Sequence, residues 1–98
     1  MDPQISGTRK IRAKHSGMVV DVLGSGTDDG RPVVQNPDVG GDNQKFTFED
    51  VGEGYYKIVN KHSNKVFDVE NRGTGGGLLV QQWTSSDYDS QKWALEAG

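Results

Sequence analysis

The chain contains an internal repeat, and this feature limits its possible folds more than any other. A shift of 47 positions places residues 10 to 49 on residues 57 to 96 without a gap, and 17 of the 40 aligned pairs are identical. The identical pairs include Lys14/Lys61, His15/His62, Ser16/Ser63, Asp21/Asp68, Gly30/Gly77, Gln35/Gln82, Gln44/Gln91 and Lys45/Lys92. Such a repeat indicates two copies of one supersecondary unit. We therefore predict a single domain over residues 1–98, with a first repeat at about 8–54 and a second at about 55–98.

Each copy carries four short runs that are typical of β-strands. In the second copy, residues 55–60 and 65–69 are rich in β-branched and aromatic residues and flank "KHSN", which suits a tight turn, so they predict a hairpin. Residues 78–83 and 92–96 supply two more strands, and the glycine-rich segment before them does not suit a helix. The pattern predicts an all-β, barrel-like or trefoil-like architecture of two 47-residue units.

Composition argues against several classes of function. The 98 residues include no cysteine, so neither disulfides nor a cysteine-based zinc site is available, and no cofactor is expected. A net charge of -3 without a basic stripe argues against nucleic acid as a partner. No segment approaches the roughly 20 apolar residues of a membrane span, and the first ten residues lack the apolar region of a signal peptide. We expect no membrane insertion.

Catalytic and metal-binding interpretations of the sequence are weak. His15 and His62 precede Ser16 and Ser63, but neighbours on one turn do not provide a base that a third group orients. The acidic "DDG" at 28–30 is similar to a metal loop, yet its counterpart is "GGG", and calcium loops need several carboxylates at set spacing. The sequence therefore predicts neither an enzyme nor a metal site.

The order of motifs in each copy resembles the repeat of the ricin-type lectins. "VFDV", a glycine-rich loop, "VQQW", a polar loop and "QKW" follow one another, and the Q-x-W signature recurs as Gln44-Lys45-Phe46 and Gln91-Lys92-Trp93. The resemblance implies a β-trefoil, with barrel and cap hairpins around a pseudo-threefold axis and shallow sugar sites on the flanks of the repeats. A trefoil needs three such units and this chain has two, so we expect oligomerisation to complete it.

The resemblance also implies a sugar site in the second copy. In the family, the aspartate of the D-V pair accepts hydrogen bonds from two adjacent sugar hydroxyls, an aromatic side chain stacks on the ring, and amides complete the contacts. The main site then comprises Asp68, Gln81, Trp83, Ser90 and Gln91. The chemistry is suitable, because a carboxylate can accept two hydroxyl donors and tryptophan offers a flat apolar face. We expect Asp68 at the rim of this site and Trp83 exposed.

The first copy implies a weak or silent version of the same site. Its corresponding residues are Asp21, Asn36, Asn43 and Gln44. Asn36 stands where the second copy has Trp83, so a stacking platform is missing unless Tyr55 or Tyr88 of a neighbouring unit supplies one.

Several of these residues also have a structural alternative. Asp21 and Asp68 would act in the turn if they accepted backbone N–H bonds from the glycine-rich loop that follows them. Trp83 has packing as an alternative to stacking. Phe46 and Trp93 are predicted to belong to the core, and the glutamines of the Q-x-W motifs to brace the loop while bordering the pocket.

The resemblance thus implies a non-catalytic carbohydrate-binding lectin module that is weak per site and multivalent, with galactose or a β-galactoside as the expected ligand. An extracellular or glycan-facing role is suspected, and the compartment stays open. The alternative is a protein-interaction or structural scaffold that keeps the repeat without sugar binding. A pure scaffold has no reason to retain Asp68, Gln81, Trp83 and Gln91 together. For the assembly we favour a homotrimer, whose six units complete two trefoils.

Overall fold

The computed structural model of the chain describes residues 7–96, apart from the side chain of Ser25, and the predicted polar N-terminus lies mostly outside this range. These residues form eight strands: β1 Thr8–Arg9, β2 Val19–Val22, β3 Val33–Asn36, β4 Phe46–Gly52, β5 Tyr55–Asn60, β6 Val66–Val69, β7 Val80–Trp83 and β8 Trp93–Ala94. Short 3₁₀ turns occupy Leu23–Ser25, Asp42–Gln44, Glu70–Arg72 and Asp89–Gln91. The described residues contain no α-helix, and the all-β prediction is confirmed. Over the same residues no helix is long and apolar enough to cross a membrane.

All strand pairs are antiparallel and form two sheets. The larger sheet has the order β1-β4-β5-β6-β7, with β8 also pairing with β5, and the smaller sheet is the β2-β3 hairpin. The predicted pairing of β5 with β6 is present through Val59 and Val66. The longest hairpin, β4-β5, joins the two copies through Glu53 and Gly54, whose φ angles are 57° and 82°. Positive φ at both central residues is what a two-residue turn of type I′ requires.

Corresponding elements recur at the spacing of the sequence repeat. The β2-β3 hairpin of the first copy corresponds to the β6-β7 hairpin of the second, and Asp21 faces Val34 as Asp68 faces Gln81. The 3₁₀ turn at Asp42–Gln44 likewise corresponds to the turn at Asp89–Gln91. Each copy therefore places one aspartate on a hairpin next to one turn that carries a buried glutamine.

The apolar core is small and centred on Val22, Phe46, Ile58 and Phe67. The rings of Phe46 and Phe67 meet edge to face, with centroids 5.1 Å apart. Trp93 packs against this cluster while its indole N–H donates to the Phe67 carbonyl at 3.2 Å, so the predicted core role of Phe46 and Trp93 is confirmed. Other side chains around the cluster are only partly buried: Ile11, Val20, Val33, Phe48 and Val80. The centre of the core is thus buried, whereas the side chains around it are only partly covered within the described chain.

Candidate functional site

A cavity of about 350 Å³ opens beside the β6-β7 hairpin. Its lining residues are Asp68, Asn71, Arg72, Gln81, Trp83 and Tyr88. Asp68 and Gln81 are direct cross-strand partners, and Trp83 lies two residues beyond Gln81. Because side chains alternate along a strand, all three point to the same face of the hairpin. Local strand pairing thus brings together three residues of the predicted main site.

Asp68 lies at the floor of this cavity, and only 4% of its surface is exposed. Its Oδ2 accepts a hydrogen bond of 3.2 Å from Gln91 Nε2, whereas its buried Oδ1 has no partner among the described residues. The prediction of a rim position for Asp68 was wrong, because strand pairing and the overlying turn place the carboxylate below the surface. A buried carboxylate oxygen without a partner is energetically costly, and a donor hydroxyl would relieve that cost.

Gln91 is fully buried and braces the site from behind. Its Oε1 accepts the N–H of Ser86 at 2.8 Å, and its Nε2 donates to the Thr84 carbonyl at 3.0 Å as well as to Asp68. Ser90 Oγ is also buried and lacks a partner among the described residues. Neither Gln91 nor Ser90 lines the cavity. Two of the five predicted main-site residues therefore lie outside the lining of the cavity, and of these Gln91 contacts it through Asp68.

Two aromatic side chains give the cavity its apolar walls. Trp83 is 39% exposed, as expected, and Tyr88 is 46% exposed. The guanidinium carbon of Arg72 lies 4.3 Å from the centroid of the Tyr88 ring, which is a cation–π contact. Asn71 and Arg72 both have left-handed backbone conformations, with φ of 55° and 53°. Such conformations are unfavourable for residues other than glycine and are common at functional sites.

Sequence reasoning missed three of these lining residues, namely Asn71, Arg72 and Tyr88. Tyr88, a candidate platform for the first copy in the sequence analysis, lines the cavity of the second copy within this chain. Tyr55, the other candidate for the first copy, lines a different cleft. One feature of the sequence could have identified Tyr88: it is an aromatic residue in a polar loop, and the corresponding residue of the first copy is Gly41.

The corresponding position of the first copy is closed by its own side chains. Asp21 is 5% exposed, and its Oδ2 accepts hydrogen bonds of 3.2 Å from Asn36 Nδ2 and from Gln44 Nε2. Its Oδ1 accepts a short hydrogen bond from Asn43 Nδ2. The donors are side-chain amides, so the alternative that Asp21 accepts backbone bonds from the glycine-rich loop is wrong. Both carboxylate oxygens of Asp21 are therefore occupied.

The glycine-rich loop of the first copy supports the second copy's site. Asp29 Oδ1 accepts the backbone N–H of Thr84 at 2.8 Å and its hydroxyl at 2.9 Å, directly after Trp83. A Cβ added at Gly30 would lie 3.9 Å from the indole of Trp83. The neighbouring Asp28 pairs with Arg31 at 2.8 Å, and this hydrogen bond lowers the pKa of Asp28. The "DDG" sequence thus fixes the strand that carries Trp83.

Other possible sites are less well formed. A cleft of about 410 Å³ is lined by Val51, Gly52, Glu53, Tyr55, Asp89 and Lys92. Hydrogen bonding to Asp89 raises the pKa of Lys92, which identifies an exposed ion pair. This cleft contains no buried charged group. Within residues 7–96 no cluster of three potential metal-ligating histidine, aspartate or glutamate side chains is found.

Comparison with protein families gives matches that together span the chain. The family described as ricin-type beta-trefoil lectin domain-like matches residues 1–83 and, in a second overlapping match, residues 42–98. A separate comparison with curated proteins gives no significant match.

Solved structures with the same fold include designed and natural proteins. The designed 3-fold symmetric protein ThreeFoil is 45% identical, with a TM-score of 0.85 over 88% of this chain and 61% of that chain. An exo-beta-1,3-galactanase from Clostridium thermocellum is 36% identical, with a TM-score of 0.87 over 95% of this chain and 20% of that chain. The Polyporus squamosus lectin, solved with Neu5Aca2-6Galb1-4GlcNAc, is 26% identical, with a TM-score of 0.79 over 95% of this chain and 32% of that chain. The chain thus spans less than two thirds of each, and its fold is part of a β-trefoil.

Proposed function

We propose that this chain, which belongs to the ricin-type beta-trefoil lectin domain-like family, is a non-catalytic carbohydrate-binding module whose main site is the cavity between Asp68, Trp83 and Tyr88. The observation that carries the proposal is the buried Oδ1 of Asp68, which has no hydrogen-bond partner among the described residues. Asp68 forms the floor of a cavity whose walls include Trp83 and Tyr88. Such a cavity combines one strong acceptor with an apolar platform, and a sugar ring needs both.

The proposed ligand is galactose or a β-galactoside. Two adjacent hydroxyls of the sugar donate to the Asp68 carboxylate, and charge assistance strengthens those bonds. The apolar face of the ring stacks on Trp83, and Gln81 and Asn71 supply further polar contacts at the wall of the cavity. Support for this sugar comes from the family resemblance and from two similar proteins, the exo-beta-1,3-galactanase and the lectin solved with a galactose-containing glycan.

Binding at one such site is expected to be weak. The cavity is open to solvent, so a bound monosaccharide keeps many of its hydroxyls hydrated and buries little area. We expect a dissociation constant of about 0.1–1 mM for a free galactoside. Because the equivalent position of the first copy is closed around Asp21, each chain provides one site, and strong binding to a glycan surface requires several chains.

Self-association of the chain would supply this multivalency. The apolar side chains around the core are only partly covered, and Leu23, Val39, Leu79 and Leu95 are among the exposed large apolar side chains. Incompletely covered apolar surface favours association with another chain. We propose a homotrimer, in which six repeat units complete two trefoils.

A glycan array with multivalent presentation of the protein tests the function. We expect binding to galactose-terminated glycans, and Asp68→Asn should abolish the signal because it replaces one carboxylate oxygen with an amide donor. Asp89→Asn is the matched control, since Asp89 is an exposed carboxylate that does not line the cavity. Wild-type protein that binds no glycan would favour the scaffold alternative, and equal loss in both variants would reject the site.

A further inference from the structure

The two copies meet through a set of hydrogen bonds around Gln82. Its buried side-chain Nε2 donates to the carbonyls of Gly26 and Asp28 at 2.9 and 2.8 Å. Its backbone N–H donates to the Arg31 carbonyl at 2.8 Å, and its own carbonyl accepts the N–H of Gly30 at 2.9 Å. A single glutamine of the second copy therefore fixes the glycine-rich loop, residues 26–31, of the first copy.

Gln35 is the counterpart of Gln82, but it is exposed at the edge of the β2-β3 sheet. Its Oε1 accepts the Ser16 hydroxyl at 2.8 Å, as Gln82 Oε1 accepts the Ser63 hydroxyl at 2.8 Å. Gln35 faces Val20, whose N–H donates to Ile11 on the opposite side of the strand at 2.8 Å. The two residues consequently form a non-hydrogen-bonded pair, and the backbone groups of Gln35 point away from β2.

The glycine-rich loop of the second copy, residues 73–78, is the counterpart of the loop that Gln82 fixes. Both loops contain a bend followed by a two-residue turn, and Gly30 and Gly77 have similar φ angles of 89° and 82°. Gly73, Gly75 and Leu78 correspond to the three residues whose carbonyls bind Gln82, yet their carbonyls accept no hydrogen bond from the described residues. The loop 73–78 thus has the conformation of the loop that Gln82 binds, although no glutamine among the described residues binds it. This similarity lowers the entropy cost of ordering the loop when a partner docks.

We propose that two surfaces of this chain are the open halves of an interface between repeat units: the edge of the β2-β3 sheet that carries Gln35, called the Gln35 edge, and the loop 73–78. A second copy of this chain occupies both surfaces by inserting one of its repeat units between them. This inference rests on the proposed self-association and assigns it a surface. At the Gln35 edge, Nε2 donates to two loop carbonyls of the inserted unit, and the backbone N–H and carbonyl complete the set seen at Gln82. At the other end, the loop 73–78 binds the corresponding glutamine of that unit.

The space available decides how the second copy docks. ThreeFoil, a 3-fold symmetric protein, is matched by this chain over 61% of its length, so one further unit fills the remaining position. The incoming chain therefore inserts one unit and keeps the other outside, which requires the two units of that chain to separate. This arrangement leaves an exposed unit that can begin a second trefoil, in agreement with six units shared by three chains.

The open interface is not identical to the internal one. Asp29 binds Thr84 across the internal interface, but the corresponding residues at the open ends are Gly76 and Pro37. Glycine has no carboxylate and proline has no N–H. The two hydrogen bonds from Thr84 to Asp29 therefore have no counterpart where the loop 73–78 of one chain meets the Gln35 edge of another. We therefore expect docking to be weaker than the internal contact and to depend on protein concentration.

Gln35→Glu tests the interface directly. The substitution preserves the oxygen that accepts from Ser16 but replaces the docking donor with a carboxylate, which would face two carbonyl oxygens. In sedimentation velocity experiments over a range of concentrations, we expect wild-type protein to associate and Gln35→Glu to raise the dissociation constant about tenfold or more. Circular dichroism and the thermal midpoint should stay near wild type. Gln82→Glu, the matched substitution inside the chain, should instead lower the thermal midpoint.

Cysteine cross-linking provides a second test, because the chain contains no cysteine. Pro32 and Gln81 form the β-bridge of the internal interface, so Leu79 and Val34 are the corresponding pair between copies. Mixing Leu79→Cys protein with Val34→Cys protein under oxidising conditions should give disulfide-linked heterodimers in excess of either homodimer, since bridged residues lie at disulfide distance.

The outcomes separate this inference from the proposals on which it depends. If wild-type protein associates but Gln35→Glu associates equally and no heterodimer forms, the interface assignment is wrong and self-association stands. If wild-type protein stays monomeric throughout, both the interface and the assembly are wrong, whereas sugar binding at Asp68 is tested independently by the glycan array.

Discussion

The side-chain amide of Asn43 donates to Asp21, whereas the hydroxyl of Ser90, at the corresponding position of the second copy, has no hydrogen-bond partner within the described residues. The exchange of asparagine for serine leaves Asp68 Oδ1 unpartnered. Asn36, the second amide on Asp21, is likewise replaced by Trp83. The two corresponding aspartates thus have different environments. The carboxylate of Asp21 accepts hydrogen bonds from side chains of its own copy, whereas that of Asp68 is suited to accept one from the hydroxyl of a ligand.

Asp21 should therefore contribute to stability and not to sugar binding. Asp21→Ala would leave the partly buried amides of Asn36 and Asn43 without this acceptor. It would also remove one of the two acceptors of the buried Gln44 Nε2, which keeps the Pro37 carbonyl. We expect a loss of about 1–3 kcal/mol in the free energy of unfolding, measured by urea denaturation. Galactoside affinity should remain unchanged under conditions where the variant is folded. A folded Asp21→Ala protein with reduced sites per chain would show that the first copy binds.

Opening the first copy is the converse experiment. Asn36→Trp combined with Asn43→Ser reproduces in the first copy the residues that flank Asp68. If the two amides are what closes this position, the double variant should gain a second weak site, and calorimetric titration should give two galactosides per chain. Asn43→Ser alone, which removes one amide without adding a platform, is the control. A stoichiometry of one in a folded double variant would mean that Gly41, in place of Tyr88, also matters.

Trp83 is expected to be the dominant apolar contact. Trp83→Ala should weaken galactoside binding about tenfold or more, equivalent to about 1.4 kcal/mol, because it removes the stacking face. The thermal midpoint should change little, since the side chain is 39% exposed. Leu95→Ala serves as a control, as Leu95 is 50% exposed and does not line the cavity. Unfolding of the Trp83 variant would instead support a packing role.

The sequence predicted the framework of the site because that framework is local. The short strands follow from β-branched and aromatic runs, and the pairing of β6 with β7 places Asp68 opposite Gln81. Comparison between the copies identified Trp83 as the distinguishing residue, and its exposure was predicted correctly. The two-residue alternation of side chains along a strand and the 47-residue repeat thus determine which side chains share a face.

The details that were missed depend on contacts between distant segments. The depth of Asp68 results from the turn that carries Gln91, 23 residues away in the sequence. Asp29 binds Thr84 across 55 residues, and no pattern in "DDG" identifies that partner. The closure of Asp21 by side-chain amides was also missed, because the sequence carries no signal of where the amides of Asn36 and Asn43 point.

Acid should weaken the ion pairs that Asp38 forms with Lys10 and Arg12 in the first copy. Hydrogen bonds from Lys10 and Arg12 lower the pKa of Asp38 below its ordinary value of 3.8. Because the folded-state pKa is the lower one, these ion pairs stabilise the fold at pH values above about 4, and their contribution is lost as pH falls through the lowered pKa of Asp38. The difference in the free energy of unfolding between wild type and Asp38→Asn should therefore shrink as pH decreases from 5 to about 3. A difference that stays constant over this range would show that the ion pairs contribute nothing.

Multivalent presentation should determine how strongly the protein binds a glycan surface. With the proposed single open site per chain, binding to free galactoside should be weak, whereas chains held together should bind a surface through several sites at once, with a gain of about 10²–10⁴ in apparent affinity. We expect surface plasmon resonance on immobilised galactoside to show this gain for wild type at concentrations where it self-associates. Gln35→Glu should bind free galactoside like wild type, because Gln35 does not line the cavity, and yet should lose most of the gain on the surface. Equal surface affinities for the two proteins would contradict the proposed link between assembly and binding, as would a sub-micromolar dissociation constant for the free sugar.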